Sequence, residues 1–392
     1  MSVYLDHAAT TPLRQEVLDA MLPYLTEHFG NPSSIHGTGR RARLGLDEAR
    51  ETVARILGAK PREIVFTSGG TEADNLAIKG AAWAASADGR RVVTSSIEHK
   101  AVMHSCAVLD RFGFEVSYLP VDRYGRVDPA DVTSAIRDHT TVVSVMYANN
   151  EVGTIQPIRE IGAICRQRKV LFHVDAVQAA GFLPLDVDTL QVDLLSLGAH
   201  KLYGPKGVGA LFVRQGTALL TQLSGGSQER QRRAGTENVA GIVGFARALE
   251  LAQDDLVGRE SENARLARLR DQLIAGLTAL PGVTLTGHPT DRLPNSASFL
   301  VEGVEGGDLV AALDLEGIAA STGSACTTGS AEPSHVLLAM GFDPGLAHGS
   351  LRLTLGPETT EADVDTALAA IQLVLPRLRA SRGVQPQTAV PA

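Results

Sequence analysis

The sequence predicts an α/β protein built on a mostly parallel seven-stranded sheet, with a smaller α+β domain beside it. Seven short, apolar, β-branched runs follow one another from about Ile64 onward: "EIVFT", "RVVTSS", "EVSYL", "TVVSVMYA", "VLFHVDA", "DLLSLG" and "VGALFV". Helical patterns interleave with them, and continuous apolar strands that alternate with helices form parallel sheets covered on both faces. A chain of 392 residues, 44% of them hydrophobic, has the apolar surface for a large core and the length of two or so domains.

Beyond the sheet, the stretch from Glu237 to about Leu280 is rich in Ala, Leu, Glu and Arg and ends at "LPGV", the pattern of one or two long helices bridging two domains. A strand-like "SASFLV" follows, then a helical "GGDLVAALDLEG", the small-residue segment "STGSACTTGSAEPSH", a strand "SLRLTL" and a helix from about Thr360 to Arg379. This pattern assigns residues 15–256 to the large domain and residues 1–14 and 257–379 to the small one. Residues 380–392 hold too little apolar surface to pack and are expected to be disordered.

The net charge is −8, with 36 basic residues spread among 44 acidic ones and no basic block, which argues against nucleic acid as a ligand. No apolar stretch approaches the ~20 residues that span a bilayer, and the opening "MSVYLDHAATTP" carries Asp6 where a signal peptide is apolar. A cytoplasmic protein is expected. Cys106, Cys165 and Cys326 lie far apart, so the spacing supports neither a disulfide framework nor a zinc site.

Asp175 ends the run in "KVLFHVDAVQAAG", and Lys201 follows another in "DLLSLGAHKLYGPKG". Such a pair can hold both ends of pyridoxal phosphate: its aldehyde requires an amine, and its pyridine nitrogen requires a carboxylate to stay protonated and accept electrons. Taken alone, the two also read as ordinary caps of the following helices. In "FTSGGTEADN" a strand runs through Gly69, Gly70 and Thr71 into a helix, where small residues let backbone N–H groups meet a phosphate at the positive helix end; an ordinary strand–helix turn looks the same. His99 follows a strand and suits a ring-stacking proton shuttle or a helix-start hydrogen bond, and Gln178 lies three residues after Asp175. Cys326 sits among small residues in "STGSACTTGSAEPS", a composition suited to a mobile loop. Cys106 and Cys165 lie in apolar helical patterns and read as core residues.

Ten segments carry a resemblance that runs in order along nearly the whole chain: "YLDHAATTP" (4–12), "GNPSSIHGTGR" (30–40), "FTSGGTEADN" (66–75), "EHKAV" (98–102), "NNEVGTIQPI" (149–158), "HVDAVQAAG" (173–181), "AHKLYGPKG" (199–207), "RRAGTEN" (232–238), "GSACTTGSAEPSHVL" (323–337) and "SLRLTLG" (350–356). With them the chain closely resembles the cysteine desulfurases of the NifS/IscS type, in the class V aminotransferase group of fold-type I pyridoxal phosphate enzymes. The resemblance implies that Lys201 bonds the cofactor aldehyde, Asp175 pairs with the pyridinium, Gln178 contacts the ring hydroxyl and His99 stacks as an acid/base. Gly70 belongs to the matching glycine turn. Thr71 and His200 resemble phosphate ligands, as does Thr236, which in the family reaches across from the other subunit of a homodimer. Asn150 and Arg352 resemble a clamp on the substrate carboxylate, a role that suits the planar fork of Arg. Cys326 resembles the thiol that takes sulfur from L-cysteine as a persulfide, leaving alanine, and passes it to an acceptor or iron–sulfur scaffold protein.

Two positions depart from the family pattern. Gly198 stands where the family has a phosphate-binding Ser, a contact that Ser196 or water would have to replace, and the tail "VQPQTAVPA" does not match the longer scaffold-docking end of the IscS branch. The rival readings are a selenocysteine lyase or other class V β-eliminating enzyme, a true aminotransferase, for which a loop thiol has no use, and a catalytically silent sulfur-relay scaffold, which has no use for the catalytic set.

Overall fold

The computed structural model describes residues 2–257, 262–323 and 332–382. Cys326 and the end of the chain from residue 383 lie outside the described residues. A short strand, β1 (Val3–Tyr4), opens the chain. The seven apolar runs form β2 (Ile64–Thr67), β3 (Arg91–Ser95), β4 (Glu115–Leu119), β5 (Thr140–Ser144), β6 (Leu171–Asp175), β7 (Leu194–Gly198) and β8 (Gly209–Val213), in the spatial order β2-β8-β7-β6-β5-β3-β4. Every pair is parallel except those of β8, which runs antiparallel to β2 and β7. Strands β3, β5, β7 and β8 are buried at every residue, because helices cover both faces, whereas the edge strand β4 exposes Glu115 and Tyr118.

The helices before and between these strands are α1 (Gln15–Thr26), α2 (Gly37–Ile56), α3 (Gly70–Ala84), α4 (Lys100–Arg111), α5 (Pro129–Ala135) and α6 (Ile158–Arg168). Helix α3 packs its small apolar side chains Ala73, Ala77 and Ala81, with Leu76, on Val142 of β5, Leu194 of β7 and Leu211 of β8. The opposite face of the sheet meets α2, α6 and α7 (Val239–Val257) in the largest apolar cluster, which includes Leu46, Val53, Phe172, Leu195, Phe212 and Phe245.

The expected bridge is two helices, α7 and α8 (Glu262–Thr278), and the first begins two residues later than the composition suggested. Next come β9 (Val283–Leu285), β10 (Ser296–Val301), α9 (Gly306–Leu315), β11 (Ile318–Ala319), α10 (His335–Ala339), α11 (Pro344–Ala347), β12 (Ser350–Thr354) and α12 (Glu361–Ser381). Strands β12, β10 and β9 form an antiparallel sheet, and β1 pairs in parallel with β11. A second apolar cluster joins Leu5 to residues of α8, α9, α12 and this sheet, among them Leu273, Phe299, Leu309, Leu353 and Ile371. Helix α12 starts with Thr360 and Asp363 capping each other's backbone and continues to Ser381, past the expected start of the tail at residue 380.

Candidate active site

Strands β6 and β7 are neighbours and parallel, with Asp175 paired to Ser196 in register. Asp175 is therefore the last residue of β6, and Lys201 sits three residues past the end of β7, in a single helical turn. Both face one cavity of about 630 Å³ that His99, Asn150, Gln178, Thr71, Gly70, His200 and Arg352 also line. The carboxyl ends of the strands in an open parallel sheet are where α/β proteins bind ligands.

At one side of the cavity the chain turns from β2 into α3. Gly69 has φ +152°, a value costly for a residue with a side chain, and a Cβ at Gly70 would stand 2.6 Å from Val177 Cγ2. Among the described residues no side chain caps this helix, whose first residues, Gly70 and Thr71, line the cavity. Its leading N–H groups and positive dipole end form an anion site. His200 lines the same cavity, and burial with Lys201, Lys206 and His99 nearby lowers its pKa to about 4. At neutral pH it is an uncharged imidazole, with Nδ1 3.3 Å from Thr10 Oγ1.

Asp175 Oδ1 accepts the Val177 N–H at 3.0 Å. Burial raises its pKa, while His99, that N–H and Lys201 pull it down. The Lys201 ammonium donates to the carbonyl oxygens of Ala8 and Ala9, the latter at 2.6 Å, so the opening segment of the chain holds it. Gln178 Nε2 donates to Ala8 O at 3.0 Å and keeps a second N–H. His99 caps α4, with Nδ1 accepting from Ala101 N at 3.2 Å, which puts the proton of a neutral ring on Nε2. His99 thus makes the helix-start hydrogen bond and also lines the cavity.

Arg352, on β12, is 2% exposed. Its Nη2 pairs with Asp6 at 2.7 Å and its Nη1 donates to Asn150 O at 2.9 Å and Gly323 O at 3.2 Å. The clamp suggested for Arg352 and Asn150 is a contact from guanidinium to backbone, and Asp6 already shares the cation. Thr236 is exposed and does not line this chain's own cavity. Gly198 has ordinary φ, and a Cβ there would meet Val177 Cγ1 at 3.4 Å and Gly70 N at 3.5 Å, so there is space for a serine. Ser196 does not replace the missing hydroxyl: it is fully buried, 2.9 Å from His173 Nε2. Cys106 and Cys165 are buried, and burial pushes each thiol up to about 12.

Sequence reasoning missed Lys206, Asp74 and Asp6. Lys206 and Asp74 line the cavity, and Asp6 orients Arg352. All three lie inside segments singled out by their motifs, which is the only signal they carried. Among the described residues, no helix is long and apolar enough to cross a membrane.

A family model for class-V aminotransferases matches residues 3–367, and the chain belongs to that family. It is 53% identical over 378 residues to a protein of Methanosarcina thermophila named cysteine desulfurase IscS, covering 96% of this chain and 93% of that one. A protein of the same name from Dictyoglomus turgidum is 52% identical, with 96% and 95% covered. Among solved structures, a NifS-like protein superposes with a TM-score of 0.90 at 40% identity over 96% of this chain and 100% of the other.

Proposed function

We propose that the chain is a pyridoxal phosphate-dependent cysteine desulfurase, converting L-cysteine to L-alanine and moving the sulfur through a Cys326 persulfide to an acceptor. The observation that carries this reading is that Asp175 and Lys201 follow neighbouring parallel strands and line one cavity with Arg352. The residues fit the cofactor. The uncapped start of α3, with Gly70, Thr71 and neutral His200, would hold the phosphate; Asp175 the pyridine nitrogen; Gln178 the ring hydroxyl; and His99 a ring face. The volume lies within the range of about 300–1,000 Å³ usual for small-molecule sites.

When bound, the cofactor supplies an electron-accepting pyridinium and an aldehyde that bonds the substrate amine. Lys201 takes the proton of the substrate α-carbon once its amine is free. His99, its Nδ1 committed to Ala101, exchanges protons through Nε2. Cys326 thiolate attacks the substrate sulfur, the C–S bond breaks with its electron pair going to the carbon skeleton, and protonation of that carbon gives alanine. An acceptor thiol on a scaffold protein of iron–sulfur assembly or a thiolation pathway then collects the sulfur.

L-cysteine with a reductant is expected to yield alanine and sulfide in equal amounts. Pyruvate and ammonia in place of alanine would assign a β-elimination instead. Arg352→Ala is expected to raise KM for L-cysteine and leave the visible spectrum of the bound cofactor intact. Because Asp6 shares the cation, the loss is about 2 kcal/mol, roughly 30-fold in kcat/KM, with Arg352→Lys in between. An unchanged kcat/KM for Arg352→Ala would remove Arg352 from the substrate site.

The proposal includes a homodimer in which Thr236 of each chain reaches the other's phosphate site. Exposed Thr236 and the exposed apolar side chains Leu22, Leu25, Phe29, Ile35 and Leu44 support it. Sedimentation of a fully active monomer would contradict it.

A further inference from the structure

Behind Asp175 lies a polar cluster for which neither the cofactor contacts nor the substrate contacts account. Alternation along the strands puts His173 and Asp175 of β6, Ser144 of β5 and Ser196 of β7 on the sheet face that α3 covers, beside the apolar Val142 and Leu194. Helix α3 adds Asp74 to this face. His173 is fully buried, with Nδ1 2.8 Å from Ser144 Oγ and Nε2 2.9 Å from Ser196 Oγ. Asp74 is 1% exposed, its Oδ1 lies 3.6 Å from His173 Nε2, and that oxygen has no hydrogen-bond partner among the described residues.

A buried carboxylate requires a cation or several donors to stay ionised. His173 alone lies within ion-pair distance of Asp74 among the described residues, and burial lowers the pKa of that ring to about 3, so it offers no charge. The acidic groups around Asp74 are Asp175 and Glu98, and both oppose its ionisation, against which stands a single hydroxyl, that of Ser196; the pull of Lys201 and His99 toward ionisation falls on Asp175. Glu98 is itself fully buried, with Oε1 accepting from Ser95 Oγ and Met146 N and Oε2 unpaired among the described residues.

We propose that Asp74 is a positioning residue that keeps its proton at neutral pH and donates it into the Ser196–His173–Ser144 hydrogen-bond chain, leaving the negative charge of this buried face on Asp175. Ser196 is the hydroxyl neighbour of the Asp74 carboxyl, and on its own a bond from it would favour the ionised form. With Asp74 protonated the chain runs the other way, Asp74 O–H donating toward Ser196 Oγ, Ser196 O–H to His173 Nε2, and His173 Nδ1–H to Ser144 Oγ. Asp74 thereby acts through Asp175. A second ionised carboxylate beside it would raise the proton affinity of Asp175 and favour transfer of a pyridinium proton to it. Only this consequence for the pyridinium rests on the cavity being the pyridoxal phosphate site; the protonation of Asp74 does not.

Infrared spectroscopy of the cofactor-free protein tests the proton directly. At neutral pH the wild type is expected to show a buried carboxylic-acid C=O band that Asp74→Asn removes and Glu98→Gln leaves in place. In the holoenzyme, Asp74→Asn mimics the protonated acid and is expected to move the pH midpoint of the bound-cofactor absorbance by less than about 0.3 units. Absence of an acid band assignable to Asp74 in the wild type would overturn the proposal. So would a downward shift of that midpoint by about a unit or more, the signature of removing a neighbouring negative charge. Failure to bind pyridoxal phosphate with the acid band present would instead count against the cofactor-site reading alone.

Discussion

Lys201→Ala is expected to fold, to bind pyridoxal phosphate without a covalent link, and to lose at least about 10³-fold in turnover of L-cysteine, because one side chain supplies both the bonding amine and the base. Borohydride treatment of the wild type should fix the cofactor to the peptide containing Lys201 and fix none in the variant. The structure supplies its own control, since Lys206 also lines the cavity. Cofactor fixed to Lys206 in the wild type would reassign the role. In the cofactor-free protein the variant also removes the donor to Ala8 O and Ala9 O, two hydrogen bonds from a charged group, so a drop in its stability of about 2–3 kcal/mol is expected.

Cys326→Ser is expected to bind the cofactor and L-cysteine as the wild type does yet release sulfide about 10²–10³-fold more slowly, since only sulfur removal uses the thiol. The other two cysteines are poor substitutes. With thiols raised to about 12, Cys106 and Cys165 are thiolates in only about one molecule in 10⁵ at pH 7. An unhindered thiol with a pKa near ~8.5 is a few per cent ionised. After incubation with sulfur-labelled L-cysteine and no reductant, peptide mapping should place the label on the peptide containing Cys326. Label on Cys106 or Cys165, or sulfide released at the wild-type rate by the variant, would remove Cys326 from the mechanism.

The seven strands were readable from sequence because each carries a short apolar or β-branched run, and for those buried on both faces nothing more distinctive is required; the edge strand β4 keeps Glu115 and Tyr118 exposed. Their spatial order was not readable, since β8 is inserted antiparallel between β2 and β7 by packing of residues far apart in the chain. Strands β1 and β11, two residues each, are too short to show any period and exist through each other. Asp175 and Lys201, each an ordinary cap when taken alone, stood out through the segments around them, "HVDAVQAAG" and "AHKLYGPKG". Asp74 and His173 did not: a polar residue in a polar helix start, or within an apolar strand, gives no sign of which element will cover it. Asp6, which pairs with Arg352 across 346 positions, is likewise invisible to any local pattern.

The opening segment of the chain, which holds Lys201 through two carbonyls and Arg352 through Asp6, also sets a timetable for synthesis. It is made long before its anchor on Thr354 in β12, 346 positions later, where Ala8 N donates to Thr354 Oγ1 at 2.9 Å. Contacts of such long sequence separation form late and slowly. A nascent chain can build the parallel sheet and lay down Asp175 and Lys201 well before the walls around them close. Cofactor capture in its final geometry therefore belongs after β12 has been made and the opening segment has docked on it.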